Sequence, residues 1–280
     1  MRLIYFGDVM GRAGRDQLLA RLPELTQEFK PDAVLVNGEN AAGGYGITPD
    51  IAKQFLANKI TAITTGNHVW DQKALLAFIG GEPRIIRPLN FPPKTPGQGF
   101  YLADLGNGRK LLVAQLMGRL FMDAMDDPFQ AIDHLLSKYV LAANITGIFV
   151  DIHAEASSEK MAMAHYLDGR VSAVIGTHTH VPTADARILV GGTAYQSDVG
   201  MCGDYDSVIG IQKSLSIFRF TRKIPGEKMK PAEGEASLCF CVIDINDKTG
   251  LAQQIKAYQR YGVFGKQTPG SSPGASPGVS

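Results

Sequence analysis

Six short runs of aliphatic, β-branched and aromatic residues, at 3–6, 33–36, 60–64, 111–116, 148–152 and 171–175, alternate with segments whose apolar residues recur at helical spacing. Runs this apolar suit strands covered on both faces, and the segments between them suit amphipathic helices. The alternation therefore selects an α/β fold with a largely parallel sheet. Helices are expected over 16–29, 49–58, 71–79, 127–141 and 158–167, several of them opened by Ser, Asp or Pro. Strand-like runs continue at 188–190, 193–196, 216–221 and 237–245 with no helix between them, which predicts a second sheet, antiparallel in part. No internal repeat or linker divides the chain, although 90–99 (NFPPKTPGQG) reads as a loop.

With 45% apolar and 20% charged residues in 280, the chain has material for one buried core. That domain is expected to span 1–265. From Lys266 the sequence KQTPGSSPGASPGVS has no apolar periodicity, so 266–280 is expected to be a flexible tail. Lys plus Arg number 28 against 27 acidic residues, which gives no excess charge to draw nucleic acid or anionic lipid and favours a small-molecule partner. The cysteines are Cys202, Cys239 and Cys241, an odd and sparse count that points to a reducing compartment. Cys239 and Cys241 flank Phe240 and read as same-face strand thiols. Without signal architecture or an uncharged run of membrane-spanning length, the expected location is the cytoplasm, with no membrane partner. A homo-oligomer is left open.

Polar residues fall where the strands end. Residues 3–6 run into Gly7-Asp8, 33–36 into Asn37-Gly38-Glu39-Asn40, 60–65 into Gly66-Asn67-His68, 148–152 into His153, and 171–175 into Gly176-Thr177-His178-Thr179-His180. In an open parallel sheet the carboxyl ends of the strands share one edge, where ligands bind. Taken singly, Gly7-Asp8 suits a strand-to-turn junction, Asn37-Gly38 an ordinary turn, and His68 a structural histidine. His178 and His180, two imidazoles at i and i+2 before a proline, are the most specific signal for a metal. His134 and His165 lie inside helical segments and read as packing or surface residues. Gly7, Gly11 and Gly14 do not match the dinucleotide-binding spacing, so no cofactor-binding site is read there.

The order of these motifs resembles the calcineurin-like metallophosphoesterases, whose pattern is DxH, GDxxD, GNH(D/E), a lone His and GHxH. Met10 stands where that pattern has a ligating His, and Glu39 replaces a bridging Asp. Those departures, with NGENAAGG, GNHVWD, DIHAEASSEK and GTHTHVPTAD, resemble the YmdB-like bacterial branch. The resemblance implies a sandwich of two mixed β-sheets flanked by helices (α/β/β/α) and two divalent or mixed-valence metal ions, iron first, with manganese or zinc as alternatives. It implies one ion held by Asp8, Glu39, Asn40 and His180 and a second by Glu39, Asn67, His153 and His178. A thioether at Met10 is a poor ligand for an oxygen-rich site, so Asn40 replaces it, and the Glu39 carboxylate can bridge.

The implied activity is phosphodiester hydrolysis, with 2′,3′-cyclic nucleotides as the expected substrates. His68, beside a ligand but outside the ligand set, is the expected general acid. Asp71 is either its orienting carboxylate or a helix cap. The glycine-rich loop 196–204 suits a backbone that approaches substrate, and a plain turn would look the same. Three alternatives are a metal-binding regulator with little turnover, a phosphomonoesterase of broad specificity, and an amidohydrolase. The last fails on order, because its HxH typically follows the first barrel strand.

Overall fold

The computed structural model describes residues 1–265; the expected tail at 266–280 lies outside them. In chain order the strands are β1 (Arg2–Phe6), β2 (Asp8–Val9), β3 (Ala33–Asn37), β4 (Ala62–Thr64), β5 (Ile85–Ile86), β6 (Phe100–Asp104), β7 (Lys110–Met117), β8 (Gly147–His153), β9 (Ala173–Thr177), β10 (Arg187–Ile188), β11 (Ala194–Gln196), β12 (Met201–Asp204), β13 (Ala236–Ile245) and β14 (Ala252–Arg260). The helices are α1 (Gly11–Phe29), α2 (Pro49–Ala57), α3 (Ala74–Phe78), α4 (Pro128–Leu136), α5 (Ser157–Leu167), α6 (Lys213–Arg222) and the short α7 (Gly262–Gly265). One sheet runs β2-β12-β13-β1-β3-β4-β5, with β14 also paired to β13; the other runs β10-β11-β9-β8-β7-β6. In the first, β1, β3, β4 and β5 are parallel and β13 is antiparallel to β1, β12 and β14. In the second, β7, β8, β9 and β11 are parallel, while β6 and β10 close the edges antiparallel.

The side-chain period of two sorts each strand between layers. Leu3, Tyr5, Ala33 and Leu35 from the first sheet meet Leu111, Val113, Phe149 and Ile175 from the second in a core between the sheets. Their neighbours Ile4, Phe6, Val34 and Val36 point the other way, onto Leu18, Leu22 and Leu25 of α1 and Phe55 of α2. On the far side Leu112, Ala114, Ile148 and Val150 pack on Ile132 of α4 and Met163 and Leu167 of α5. Three apolar layers between four layers of elements make the expected α/β/β/α sandwich, and they explain why the strands read as nearly unbroken apolar runs.

Helix starts follow their caps. Thr48 accepts from the Ile51 N–H at 3.3 Å with Pro49 in the first turn, and Asp127 accepts from the Phe129 N–H at 2.8 Å with Pro128 behind it. Helix α1 begins at Gly11 rather than 16, because its first turn, Gly-Arg-Ala-Gly, carries no large apolar residue to mark it. Helix α4 ends at Leu136 rather than 141, and the expected helix at 71–79 shrinks to α3 and a single 3₁₀ turn at Ile79–Gly81. The run 216–221, expected as a strand, lies within α6. Its alternating Ile217-Phe218-Arg219-Phe220 imitates strand periodicity, yet among the residues of α6 only Ser216 is buried. Among the described residues no helix is long and apolar enough to cross a membrane.

The segment 197–200 holds the two sheets together at one edge. Gly200 O accepts from the Asp8 N–H at 3.2 Å on the first sheet, and the Val199 N–H donates to Gly176 O at 2.9 Å on the second. The approach is so close that a Cβ at Gly7 would lie 1.8 Å from Gly200 O, and one at Gly176 would lie 1.7 Å from Ser197 O. This corrects the expectation for 196–204. The stretch is buried and partly strand β12, so it braces the sheets instead of presenting backbone to a substrate.

At its centre Asp198 pairs with Lys160 of α5 at 2.8 Å, both side chains being almost fully buried. The same carboxylate accepts from the Thr179 N–H and hydroxyl at 3.0 and 2.8 Å and from the Gly200 N–H at 2.9 Å. Removing one member of a buried pair strands the other charge, typically at a cost of about 3–5 kcal/mol. Lys160→Met is expected to lower the unfolding free energy by about that much in urea titration. Adding Asp198→Asn should recover part of the loss, and a loss below about 1 kcal/mol, the scale of an exposed pair, would contradict a structural role for the pair.

Candidate metal centre

Asp8 opens β2 one residue after β1, Glu39 and Asn40 follow β3, and Asn67 and His68 follow β4. His153 is the last residue of β8, and His178 and His180 follow β9. The expected residues therefore arrive from two sheets at a common edge. Asn37 Oδ1 accepts from the Glu39 N–H at 2.9 Å, and this side-chain turn sets the Glu39 backbone. Glu39, His153 and His178 offer donor atoms that all lie within 4.8 Å of one another. His153 Nε2 stands 3.0 Å from Glu39 Oε2, 2.9 Å from Asn67 Oδ1 and 3.1 Å from His178 Nδ1. His180 Nε2 stands 3.2 Å from Asn40 Oδ1.

The outward face of each group fixes what its inward face offers. Thr177 donates its hydroxyl proton to Asp151 Oδ1 at 2.7 Å, so Thr177 Oγ1 accepts from His153 Nδ1 at 2.9 Å, and the neutral ring keeps its lone pair on Nε2. His180 Nδ1 donates to Ile209 O at 2.8 Å, and His178 Nε2 faces Glu155 Oε2 at 3.2 Å. Asn40 donates its amide to Gly44 O at 3.0 Å, which turns its carbonyl inward. The result is a nest of imidazole nitrogens, amide oxygens and carboxylates with almost no proton to share among them. Asp8 Oδ1 is buried with no hydrogen-bond partner, an arrangement that is costly unless a cation completes it. This donor set fits a metal.

Electrostatics agree. Burial drives the Asp8 carboxyl well above the usual carboxylate range, and nearby Glu39 adds to the shift against the opposing pull of His153. Burial alone would depress His153, but Glu39, Asp8 and Asp151 outweigh it and push the imidazole up to about 9. Burial likewise works against Glu39 ionisation, yet the surrounding histidines, His153 first, bring its carboxyl down to about 2. Burial and the His153 charge lower His178 to about 3. The metal-free cluster thus keeps one proton on His153, facing three acceptors that it cannot serve equally.

Several contributors were not legible as site residues. Asp151 sits in the apolar run 148–152 and accepts from Tyr5, Gln115 and Thr177, each at 2.7 Å, tying both sheets to the outer nitrogen of His153. Gln115 also accepts from the Thr65 and Gly66 N–H groups at 3.1 and 3.0 Å, just before Asn67. The available signal was a carboxylate inside a strand otherwise buried on both faces. His178 and His180 adopt φ of 98° and 65°, strained for non-glycine residues, and Asp198 grips Thr179 between them. Met10 is buried against Met201 and Ile211 and lines the same cavity as Glu39, Asn40 and His180. His134 and His165 are exposed helix residues, and the three cysteines are free and buried, as expected.

His68 lies beside the cluster. Its backbone N–H donates to Glu39 Oε1 at 2.9 Å and its ring Nδ1 meets Asp71 Oδ2 at 2.8 Å. Asp71 does not cap α3, whose first turn has no side-chain cap, so of the two expected roles the structure supports the orienting one. His68, Glu39, His178 and His180 line one cavity of about 740 Å³.

Two mixed sheets in a helix-flanked sandwich, with this donor set at their shared edge, are the architecture of a calcineurin-like metallophosphoesterase. The family model described as YmdB-like protein matches residues 4–258. A Bacillus subtilis (strain 168) relative called 2′,3′-cyclic-nucleotide 2′-phosphodiesterase is 46% identical over 256 residues, covering 91% of this chain and 96% of its own. A putative phosphatase/phosphodiesterase of Mycoplasma genitalium is 37% identical over 227 residues, 79% of each chain. A crystal structure of a hypothetical protein from Thermus thermophilus superposes with a TM-score of 0.86 at 41% identity, covering 93% of this chain and 99% of its own. A novel phosphatase from Mycoplasma pneumoniae superposes with a TM-score of 0.87 at 32% identity, covering 93% of each. The chain belongs to the YmdB-like family.

The His153 proton gives metal binding a sign with pH. Below about 9 a cation must displace that proton, so affinity should weaken about tenfold per unit as pH falls towards 7. Manganese titrated calorimetrically into chelator-treated protein at pH 7, in buffers of differing ionisation enthalpy, should report about one proton released per ion entering the His153 position. Binding without proton release would contradict the protonated cluster.

Proposed function

We propose that the protein is a binuclear metal-dependent phosphodiesterase that opens 2′,3′-cyclic nucleotides. The observation carrying this reading is the convergence of donor atoms from two sheets, with the buried and unpartnered Asp8 Oδ1 among them, beside a cavity of about 740 Å³, a volume suited to a nucleotide. The substrate class follows the activity named for the Bacillus subtilis relative. Asp8, Glu39, Asn40 and His180 would hold one cation and Glu39, Asn67, His153 and His178 the other, with Glu39 shared. The separate pairings of His180 with Asn40 and of His153 with Asn67 and His178 support that division. A thiolate-free set of imidazole, carboxylate and amide suits iron, our first assignment, and also manganese or zinc. Free, buried cysteines support a reducing, cytoplasmic setting.

Bound there, the two ions would supply Lewis acidity at the phosphoryl oxygens and a nucleophile at neutral pH. The chain supplies the rest. Asp71 holds His68 by Nδ1, leaving Nε2 as the nitrogen that exchanges a proton with substrate. As water oxygen bonds to phosphorus and the bond to the ribose 2′-oxygen breaks, His68 Nε2 protonates that oxygen. The hydrogen bond from the His68 backbone N–H to Glu39 ties the acid to the carboxylate that both ions would share, so donor and cluster keep a fixed separation. The buried chain from Asp151 through Thr177 to His153 holds the ligand ring in register without touching substrate.

General acid catalysis is typically worth about 10² to 10⁴ in rate. His68→Ala is expected to retain its metal and lose turnover of 2′,3′-cyclic AMP by roughly that factor. It should lose much less on bis-p-nitrophenyl phosphate, whose leaving group needs little protonation. Metal loss, or equal losses on both diesters, would remove His68 from the donor role.

A further inference from the structure

Helix α6 is inverted. A surface helix ordinarily turns its apolar stripe toward the core, yet α6 buries only Ser216 and leaves Ile217 56% and Phe220 74% exposed. Phe220 is not turned to open solvent alone. With its neighbour Arg219 it lines the cavity that holds Glu39, His68, His178 and His180. Arg219 is the one Lys or Arg among the described residues of that lining, and its guanidinium has no carboxylate partner among them. The same lining carries two carboxylates, Glu39 and Glu155, which would repel an anionic ligand unless a cation offset them. On another part of the wall the Tyr45 ring stands edge-on to His68, with centroids 5.1 Å apart, so the catalytic imidazole is already packed against an aromatic ring.

We propose that α6 is the nucleoside-recognition element of the site, with the Phe220 ring as the stacking platform for the base and Arg219 as the cation that draws in the phosphodiester. The proposal rests on the cyclic-nucleotide reading above and goes further by assigning recognition of the base to a helix outside the ligand set. An aromatic face recognises any base by its π-surface, so this platform favours nucleotides over phosphodiesters that lack one without selecting strongly among bases. It also accounts for a ring kept exposed at the cavity that holds the donor residues. Packing against the protein would remove the surface that the base needs.

The test compares metal-loaded wild-type protein with Phe220→Ala, Phe220→Trp and Arg219→Gln on two substrates. One is 2′,3′-cyclic AMP; the other is methyl β-ribofuranoside 2′,3′-cyclic phosphate, which presents the same diester without a base. Base stacking on an aromatic side chain corresponds to about 5- to 150-fold in affinity. Phe220→Ala should therefore lower the ratio of kcat/KM between the two substrates by about that factor, chiefly through KM, while Phe220→Trp keeps the ratio. Arg219→Gln should lower kcat/KM on both substrates alike and flatten its dependence on salt. An unchanged ratio in Phe220→Ala would overturn the platform, as would an unchanged ratio with a lower mass by light scattering, which would make α6 a contact between copies of the chain. Inactivity of the loaded wild type on both diesters would overturn the cyclic-nucleotide reading and the platform with it, whereas wild-type activity with an unchanged ratio overturns the platform alone.

Discussion

Two separate sheets must end at the same place for this site to exist, and the segment 197–200 enforces that meeting. It is wedged between Gly7 and Gly176 and bonded to the chain on both sides, with room at neither position for a side chain. Asp198, within the wedge, takes the Lys160 ammonium and the Thr179 backbone at once. It thereby couples helix α5 to the strained turn that carries His178 and His180. A shift of the wedge would separate Asp8, Glu39, Asn40 and Asn67 on one sheet from the three histidines on the other. The ligand geometry therefore depends on packing and hydrogen bonds well behind the ligands.

That rigidity serves an electrostatically unfavourable cluster. Three imidazoles, two amide oxygens and two carboxylates face one another in a buried space, and the outward hydrogen bonds of His153, His178, His180 and Asn40 prevent them from turning away. In low dielectric such a set repels itself unless a proton or a cation sits within it. A single imidazolium at His153 relieves the repulsion only in part. Cation binding and the order of the site are accordingly linked: the free energy that holds the metal also stabilises the fold around it.

The strand ends were legible because their chemistry departs sharply from the strands they terminate: five of the six apolar runs stop at a Gly, Asn or His, with Asp, Glu, Asn or His at or just beyond that point. The donor set could be named from that pattern together with the family resemblance. What lay hidden was the support. Asp151 passed as one polar residue in an apolar run, and its partners Tyr5 and Gln115 are distant in sequence. Lys160 reads as an ordinary surface lysine of a helix, yet it is buried. Helix α6 reads as a strand for a physical reason: periodicity reports the direction of the core only when apolar residues face it, and those of α6 do not. Strand β14 escaped notice because AQQIKAYQR, an edge strand with its residues largely outside the core, has little apolar signal. Asp71 could not be decided from sequence, since helix capping and histidine orientation ask for the same residue at the same spacing.

On the proposed function the converging donors hold two cations, and phosphodiester hydrolysis depends on both. Elemental analysis of protein purified without chelator, with turnover of 2′,3′-cyclic AMP measured on the same preparation before and after chelation and reloading, tests it most directly. Occupancy should approach two metal ions per chain, activity should disappear when they are stripped, and it should recover in step with refilling of the second position. Full turnover with one ion per chain or none would contradict it.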